Sequence, residues 1–549
     1  MIIYAKDHGI LPGQEIGKPL NDLLASLAGN DEEKELVLEK GEYLVDSDDC
    51  PIRYLHVTNT MGEREYCQNE EKWKRSIAIL FEGIKNLTFE GNGSVFFVDG
   101  IVDNVVFDGC ENVTFRNLEI KTVRPNAHRL VTLRRTPTKL VLGWDSNDET
   151  VVEDGKLFFV GKDYKHPLMY RAEQNYFNSA LPERPSYFTR IRHPLFLKKN
   201  VRFDTKARTI AANGFFPKKY YSKGREYYIY DNKRRNVGVF AQKCKDLRIE
   251  NYTQRFSYSL ALVCQDCDGL TFDGLNMSPE NIEKFGLASI ADFLHLCCCR
   301  GQITVRNSYF SSSGDDVLNV HGIHFLVASA KENEIDVRFC HSQAYGFNIF
   351  HPGDKIAFVD RNTLLPQQEA TVVHSEMTDL YTIKLTLDTD IGKSMIGRAV
   401  EDLSACPDVL FEKNRFERIS TRGLLLTTRG KVVVRDNDFI FTKMWAIEIA
   451  DDARDWYESG PLTDVTIENN RFIECTQETI HIFPHNLVHK GYVHNNILIR
   501  NNEFFLKRRS CYIVRSAGNV RMIGNVYKKP RFYCHMMIKL NSDVREKDF

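Results

Sequence analysis

Asp292, Asp315 and Asp316 are the residues of this chain whose types and spacing could do chemistry together. They stand in the stretches Ser-Ile-Ala-Asp292-Phe-Leu-His-Leu and Ser-Gly-Asp315-Asp316-Val-Leu-Asn-Val-His-Gly. Three carboxylates brought to one point cannot all ionise near neutral pH, because like charges raise one another's pKa. One proton shared among them supplies an acid and a base side by side. Glycoside hydrolysis asks for that pair: one carboxylic acid protonates the leaving oxygen while another carboxylate activates water or attacks. Clustered oxygens would also suit calcium, although the neighbouring His295 and His321 are poor calcium ligands. Carboxylates that merely cap turns are a further alternative. Neither a Gly-x-Ser-x-Gly elbow nor a His-Glu-x-x-His motif is present to support serine or zinc hydrolysis.

The elements that must position these residues come from a repeated phrase of the form Asn/Asp-apolar-x-apolar-x-(x)-Asn-x-Phe. Clear copies are Pro407-Asp-Val-Leu-Phe-Glu-Lys-Asn-Arg-Phe, Thr463-Asp-Val-Thr-Ile-Glu-Asn-Asn-Arg-Phe and Asn495-Asn-Ile-Leu-Ile-Arg-Asn-Asn-Glu-Phe. From Leu247 to Leu270, Val409 to Val432 and Ile497 to Val520 the step is 23 residues, and from Leu270 to Ile303 and Val432 to Val465 it is 33. Alternation of apolar and polar positions marks a strand with one buried face, and such a strand cannot bury that face alone. Stacked copies must share a core. Coils of this length without helical periodicity predict an all-β fold, a right-handed parallel β-helix. A β-sandwich has no reason to repeat a phrase at a fixed interval. The asparagines suit tight turns, and stacking would align them in a ladder.

The strand before each phrase forms a second column. Asp292-Phe-Leu-His-Leu, Asp316-Val-Leu-Asn-Val, Trp445-Ala-Ile-Glu-Ile and Glu478-Thr-Ile-His-Ile align, with Ser259, Gly423 and Ser510 as the starts of three further members. Coils stack at the strand spacing of ~4.8 Å, so Asp292 and Asp316 are expected to be direct neighbours. Asp315 reaches the same point only if the chain bends at Ser313-Gly314. Three residues further along, His295, Asn319, Glu448 and His481 describe a wet groove.

Two interruptions of the phrase predict two inserted β-rich, barrel-like domains. The expected order is an N-terminal segment with the first coils over 1–120, an inserted domain over 121–235, coils carrying the aspartates over 236–323, a small barrel over 324–400 and final coils over 401–549. Because the barrel follows Gly322 directly, it is a candidate wall of a pocket. A formal charge of -1 on 549 residues leaves no electrostatic footprint for nucleic acid. The basic run Lys233-Arg234-Arg235 reads as solvated loop. No stretch approaches the ~18 apolar residues needed to span a membrane. The N-terminus lacks the features of a secretory signal, so a cytoplasmic location is expected as written, or an extracytoplasmic one if a leader was removed. The cysteines, including Cys264, Cys267 and the run Cys297-Cys298-Cys299, read as small core residues; a zinc site would need a second matching pair.

At these residues the chain resembles glycoside hydrolase family 110, the α-1,3-galactosidases acting on blood-group-B-type and related glycans. The likeness rests on Ala291-Asp292-x-x-His295, on Gly314-Asp315-Asp316-x-x-Asn319-Val320-His321-Gly322 and on Asp455-Trp456-Tyr457-Glu458-Ser459-Gly460, together with the order of the parts. It implies a glycan substrate with terminal α-linked galactose, inversion by single displacement, and no metal or other cofactor. Carried over by position, Asp315 resembles the general acid, with Asp292 and Asp316 holding and deprotonating water. His295, Asn319, His321, Arg422, Glu448, Glu458 and His481 are candidates for holding sugar hydroxyls, and Trp456 for offering an aromatic face or packing its loop. Alternatives are a polygalacturonase-like hydrolase, whose uronate substrates need more cations than Arg422 and histidines supply, a lyase, and a non-catalytic carbohydrate-binding β-helix. Long β-helix flanks make a homodimer a plausible expectation.

Overall fold

A computed structural model describes residues 1–60, 73–145, 148–168, 177–180, 188–191, 201–230, 234–506, 510–528 and 536–546. Lys233 of the basic run lies outside them. The repeated phrase stacks in register into a parallel β-helix. Leu247 lies opposite Leu270, then follow Ile303, Val409, Val432, Val465, Ile497 and Val520, one per coil. All eight are at most 1% exposed. Burying each such side chain contributes about 1.5–3 kcal/mol, which the isolated strand could not gain.

The second half of the phrase forms the next strand of each coil. Its phenylalanines enter the same core, with Phe416, Phe439, Phe472 and Phe504 following one another at ring separations of 4.2, 4.6 and 4.8 Å, the first pair edge to face and the last stacked. The corner between the two strands explains why asparagine recurs. Lys413, Asp436, Asn469 and Asn501 take left-handed backbone with φ of 55 to 58°, and the residue after each is a buried asparagine. Asn414, Asn437, Asn470, Asn502 and Asn525 then form a ladder: each backbone N–H donates to the next side-chain oxygen at 2.8–3.0 Å. The side-chain amides of Asn437, Asn470 and Asn502 also donate to a main-chain carbonyl.

A third strand per coil builds the sheet that carries the aspartates; it runs from Ile52–Tyr54 to Met536–Leu540. At the N-terminal end the amphipathic helix Gly17–Ser26 lays Leu20, Leu23 and Leu24 onto the main core, covering an otherwise open end of the stack. Two modules interrupt the coils. The first holds an antiparallel seven-stranded sheet between Ala127–Arg135 and Glu226–Tyr230, with a three-stranded sheet over Glu149–Pro167; among the described residues its strands do not close. The second is a closed six-stranded barrel from Phe325–Lys331 to Ala399–Asp402, its interior filled by Phe325, Val337, Phe358 and Leu385. The described cysteines form no disulfide, and Cys264, Cys267, Cys297, Cys298 and Cys299 are buried.

Candidate active site

Strand register determines which side chains meet. Val263, His295, Asn319, Leu425, Glu448 and His481 lie opposite one another in successive coils. Counting back three residues puts Leu260, Asp292, Asp316, Arg422, Trp445 and Glu478 in one line. Two members differ from the column read in the sequence, where Ser259 and Gly423 held the places of Leu260 and Arg422. A one-residue slip exchanges the two faces of a strand, so the correction brings Arg422 directly beside Asp316. Asp315 joins the group because the chain bends at Gly314 and Asp315 before the strand Leu318–Ile323.

Oxygens of Asp292, Asp315 and Asp316 all lie within 4.8 Å of one another. Asp292 and Asp316 are 3% and 1% exposed, while the Asp315 side chain retains 14%. Asp316 is clamped. Its Oδ1 accepts from Thr421 Oγ1 at 2.8 Å, from Arg422 N at 3.1 Å and from Arg422 Nε at 2.9 Å, and Oδ2 faces Arg422 Nη2 at 2.8 Å. Asp292 Oδ1 accepts from the Asp316 N–H at 3.3 Å, and Oδ2 meets His295 Nδ1 at 2.9 Å. Burial pushes Asp292 up to about 7, with Asp315 adding and Arg234 and Arg422 opposing. Burial likewise pushes Asp316 up to about 7 against Arg422, with Asp315 and Asp292 adding to the rise. The cluster is therefore poised to hold and exchange protons near neutrality.

The guanidinium of Arg422 also reaches Glu448 Oε2 at 2.9 Å, and Glu448 Oε1 meets His481 Nδ1 at 3.0 Å. Burial works against the charge on Glu448, yet His481 and Arg422 hold it below the usual carboxylate range. His481 stacks on Trp445 at 4.0 Å between ring centroids. Glu448 and His481 are thus engaged with protein groups that position Arg422. Asn319 donates to Glu458 Oε1 at 3.0 Å, and Glu458 is placed by an antiparallel bridge of Glu458–Ser459 to Gly322 and Ile323. His321 bonds the Gly322 carbonyl at 2.8 Å and His295 at 3.0 Å. Beside them opens a cleft lined by Asn59, His295, His321, Trp456, Tyr457 and Glu458, with Phe339, Cys340 and His341 of the barrel module forming one wall. Trp456 is half-exposed and packs its ring against His341 at 4.6 Å.

Arg234, read in the sequence as part of a solvated basic loop, is instead largely buried, with its side chain 15% exposed. Its Nη2 lies 3.6 Å from Asp315 Oδ2, and it bonds the Asn59 carbonyl at 3.1 Å. Nothing in the repeat marks it, because it stands where the first module returns to the coils. Trp445 did carry a signal, since it falls in the aspartate column. The three carboxylates converge at a spacing a hard cation would also accept. Two guanidiniums already face them, and their positive charge opposes a cation there.

The described barrel carries a match to the GLAA-B beta-barrel domain II family over residues 334–396. A protein named alpha-1,3-galactosidase A from Bacteroides fragilis is 30% identical over 488 residues, covering 86% of this chain and 78% of the relative. The chain belongs to the α-1,3-galactosidase family, glycoside hydrolase family 110. A second relative of that name, from Bacteroides thetaiotaomicron, is 28% identical over 87% of this chain and 82% of its own. The same organism's alpha-1,3-galactosidase B is 25% identical over 97% and 87%. Membership in this α-1,3-galactosidase family makes the chain a glycoside hydrolase.

Proposed function

We propose that the protein removes terminal α-1,3-linked galactose from blood-group-B-type or linear glycans by a single displacement at Asp292, Asp315 and Asp316. The observation that carries this reading is the meeting of the three carboxylates, with oxygens within 4.8 Å of one another, next to His295, which bonds Asp292 and lines the cleft. Asp315, the most exposed of them, protonates the glycosidic oxygen. Asp292 and Asp316 sit deeper, on adjacent coils. Two hydrogen bonds of ~2.8 Å reach across the gap between them, so one water can be held by both. Asp292 takes its proton as the water oxygen attacks the anomeric carbon. Arg422 opposes the rise that burial imposes on Asp316 and clamps both of its oxygens, so that Asp316 orients the water. Trp456 and Glu458 border the cleft where the sugar enters, one offering an aromatic face and the other a hydroxyl acceptor.

A second reading, double displacement with retention, is favoured by the short gap, since inverting pairs ordinarily stand ~6.5–9.5 Å apart and retaining pairs ~5–5.5 Å. Burial of the two deeper aspartates argues against it. A nucleophile must touch the anomeric carbon, and these two are only 3% and 1% exposed. Proton NMR of the sugar released from Gal-α-1,3-Gal, with EDTA present, separates the two readings. β-Galactose appearing first supports single displacement. α-Galactose first would make one of the deeper aspartates a nucleophile, and no release would turn the reading toward uronate polymers or a binding protein.

A further inference from the structure

A single displacement leaves Asp292 with a proton it must lose and Asp315 without the one it must regain. Behind Asp292 the strand register stacks two histidines, His295 over Asn319 and Cys297 over His321, and turns both imidazoles into one line. Asp292 Oδ2 meets His295 Nδ1 at 2.9 Å, His295 Nε2 meets His321 Nε2 at 3.0 Å, and His321 Nδ1 meets the Gly322 carbonyl at 2.8 Å. We propose that His295 and His321 are a buried proton relay that drains Asp292 after water attack and rests the proton on His321 beside Glu458. The relay rests on Asp292 being the base in the reading above.

The hydrogen-bond inventory dictates the direction. A carbonyl can only accept, so His321 Nδ1 carries a hydrogen in every state. With His321 neutral, its Nε2 accepts, His295 Nε2–H donates to it, and His295 Nδ1 is a bare acceptor facing Asp292. When Asp292 has gained the water proton, its O–H donates to that nitrogen. Transfer then moves one proton from Asp292 to His295 Nδ1 and one from His295 Nε2 to His321 Nε2. His295 ends neutral with its hydrogen on the other nitrogen, His321 ends as imidazolium, and Asp292 is again a carboxylate. Atoms and charge balance within this step, and the imidazolium then gives its extra proton to water in the cleft that His321 lines, which resets the line.

The surroundings favour charge at the far end of the line. Burial opposes charge on His321, yet Cys297 first, then Glu458 with Oε1 3.8 Å from His321 Nε2 and the Gly322 carbonyl, raise it above the ordinary histidine value. Burial and His321 itself push His295 well below it. The other charged and titratable groups facing the pair are Asp315 and Arg234 at the mouth, Asp316 and Arg422 on the stacked coils, and His341 from the barrel module. His295 and His321 are positioning residues: they act through Asp292 and not on the sugar. Asn59 Nδ2, 3.3 Å from His295 Nδ1, helps hold the first ring.

His321→Gln retains a polar amide toward His295 but cannot take a proton, and His321→Asn retains the bond to the Gly322 carbonyl while ending the line. Both are expected to lower kcat about 10- to 100-fold, the size typical of losing a group that supports an active-site residue from behind, with KM for Gal-α-1,3-Gal within about twofold. In the wild type the acid limb of the kcat profile reflects His321, which once protonated can accept nothing more; in both variants that limb moves to lower pH. Wild-type kcat and an unmoved limb in His321→Gln would overturn the relay. Asp292→Asn separates this from the parent reading: its full activity would sink Asp292 as base, whereas an inactive Asp292→Asn with an unaffected His321→Gln would sink the relay alone. Nitrogen-15 NMR of the histidine-labelled wild type needs no variant to fold. It is expected to show His321 titrating while His295 stays neutral and exchanges its protonated nitrogen over the same pH step; a His295 that keeps one tautomer throughout overturns the proposal.

Discussion

The asparagine ladder at one corner of the coil and the acidic column on the third strand are both stacks of buried polar groups, one residue per turn. In the ladder, an amide offers donor and acceptor together, so identical residues satisfy one another along the axis; Asn470, for instance, donates to Asn502 Oδ1 and to the Val434 carbonyl and accepts from Asn437. A carboxylate only accepts. Two in succession, Asp292 and Asp316, cannot close on each other, and the column continues with Arg422 and Trp445 instead of repeating. Repetition therefore marks the scaffold of this enzyme, and the break in repetition marks the proposed site. Residual frustration is visible there: buried Asn319 Oδ1 has no hydrogen-bond partner among the described residues.

That contrast can be broken at either stack. Asp315→Asn should lower kcat by ~10³-fold or more, about 4 kcal/mol of transition-state stabilisation, with an unchanged urea midpoint; a large loss of stability instead would show the column to be scaffold too. Arg422→Met, which strands Asp316 and Glu448 without their cation, should destabilise by about 3–5 kcal/mol and also reduce kcat, measured by urea denaturation and turnover together. Asn470→Ala is expected to cost about 2–3 kcal/mol, because neighbouring buried groups lose partners, while kcat per folded molecule stays at the wild-type value. A kcat loss in that variant would mean the ladder does more than hold the coils.

A smaller, pH-dependent difference sharpens the comparison further. The folded-state value of Asp292, raised to about 7, exceeds the unfolded value of ~3.9. Unfolding then releases protons between those values, so this group's contribution to stability falls as pH rises from ~4 to ~7. Asp292→Asn should match the wild type in urea midpoint near pH 4 and be the more stable protein above pH 7. A difference that does not vary with pH would contradict the raised value. Smallest of all, Trp456→Ala should raise KM a few-fold and leave kcat and stability alone, since the ring is half-exposed and only borders the cleft.

The scaffold was readable because each coil presents the same environment to the same residue type. Marker residues paired as their spacing implied, and Asn-x-Phe placed its two residues in the ladder and the core. Counting failed at Gly423 and Arg422 for a physical reason. Between Leu318 and its partner Leu424 the chain leaves to build a barrel, and an insertion of arbitrary length carries no register. A slip of one was enough to assign Arg422 to the sugar and hide its place beside Asp316. His295, Asn319, Glu448 and His481 were recognisable as a polar column, yet their spacing said nothing about which of them would spend its hydrogen bonds on another.

By itself the sequence determined that Asp292 and Asp316 would stack, because 24 residues is one coil of this helix and stacked positions differ only by the strand spacing. It also placed Asp315 at a bend able to join them. Tertiary structure alone decided what balances them. Arg422 reaches Asp316 from 106 positions away, Arg234 arrives where an inserted module returns, and His321 turns toward His295 only once the coils are stacked. Charge interactions are settled at ~3 Å, a distance that residue order along the chain does not encode.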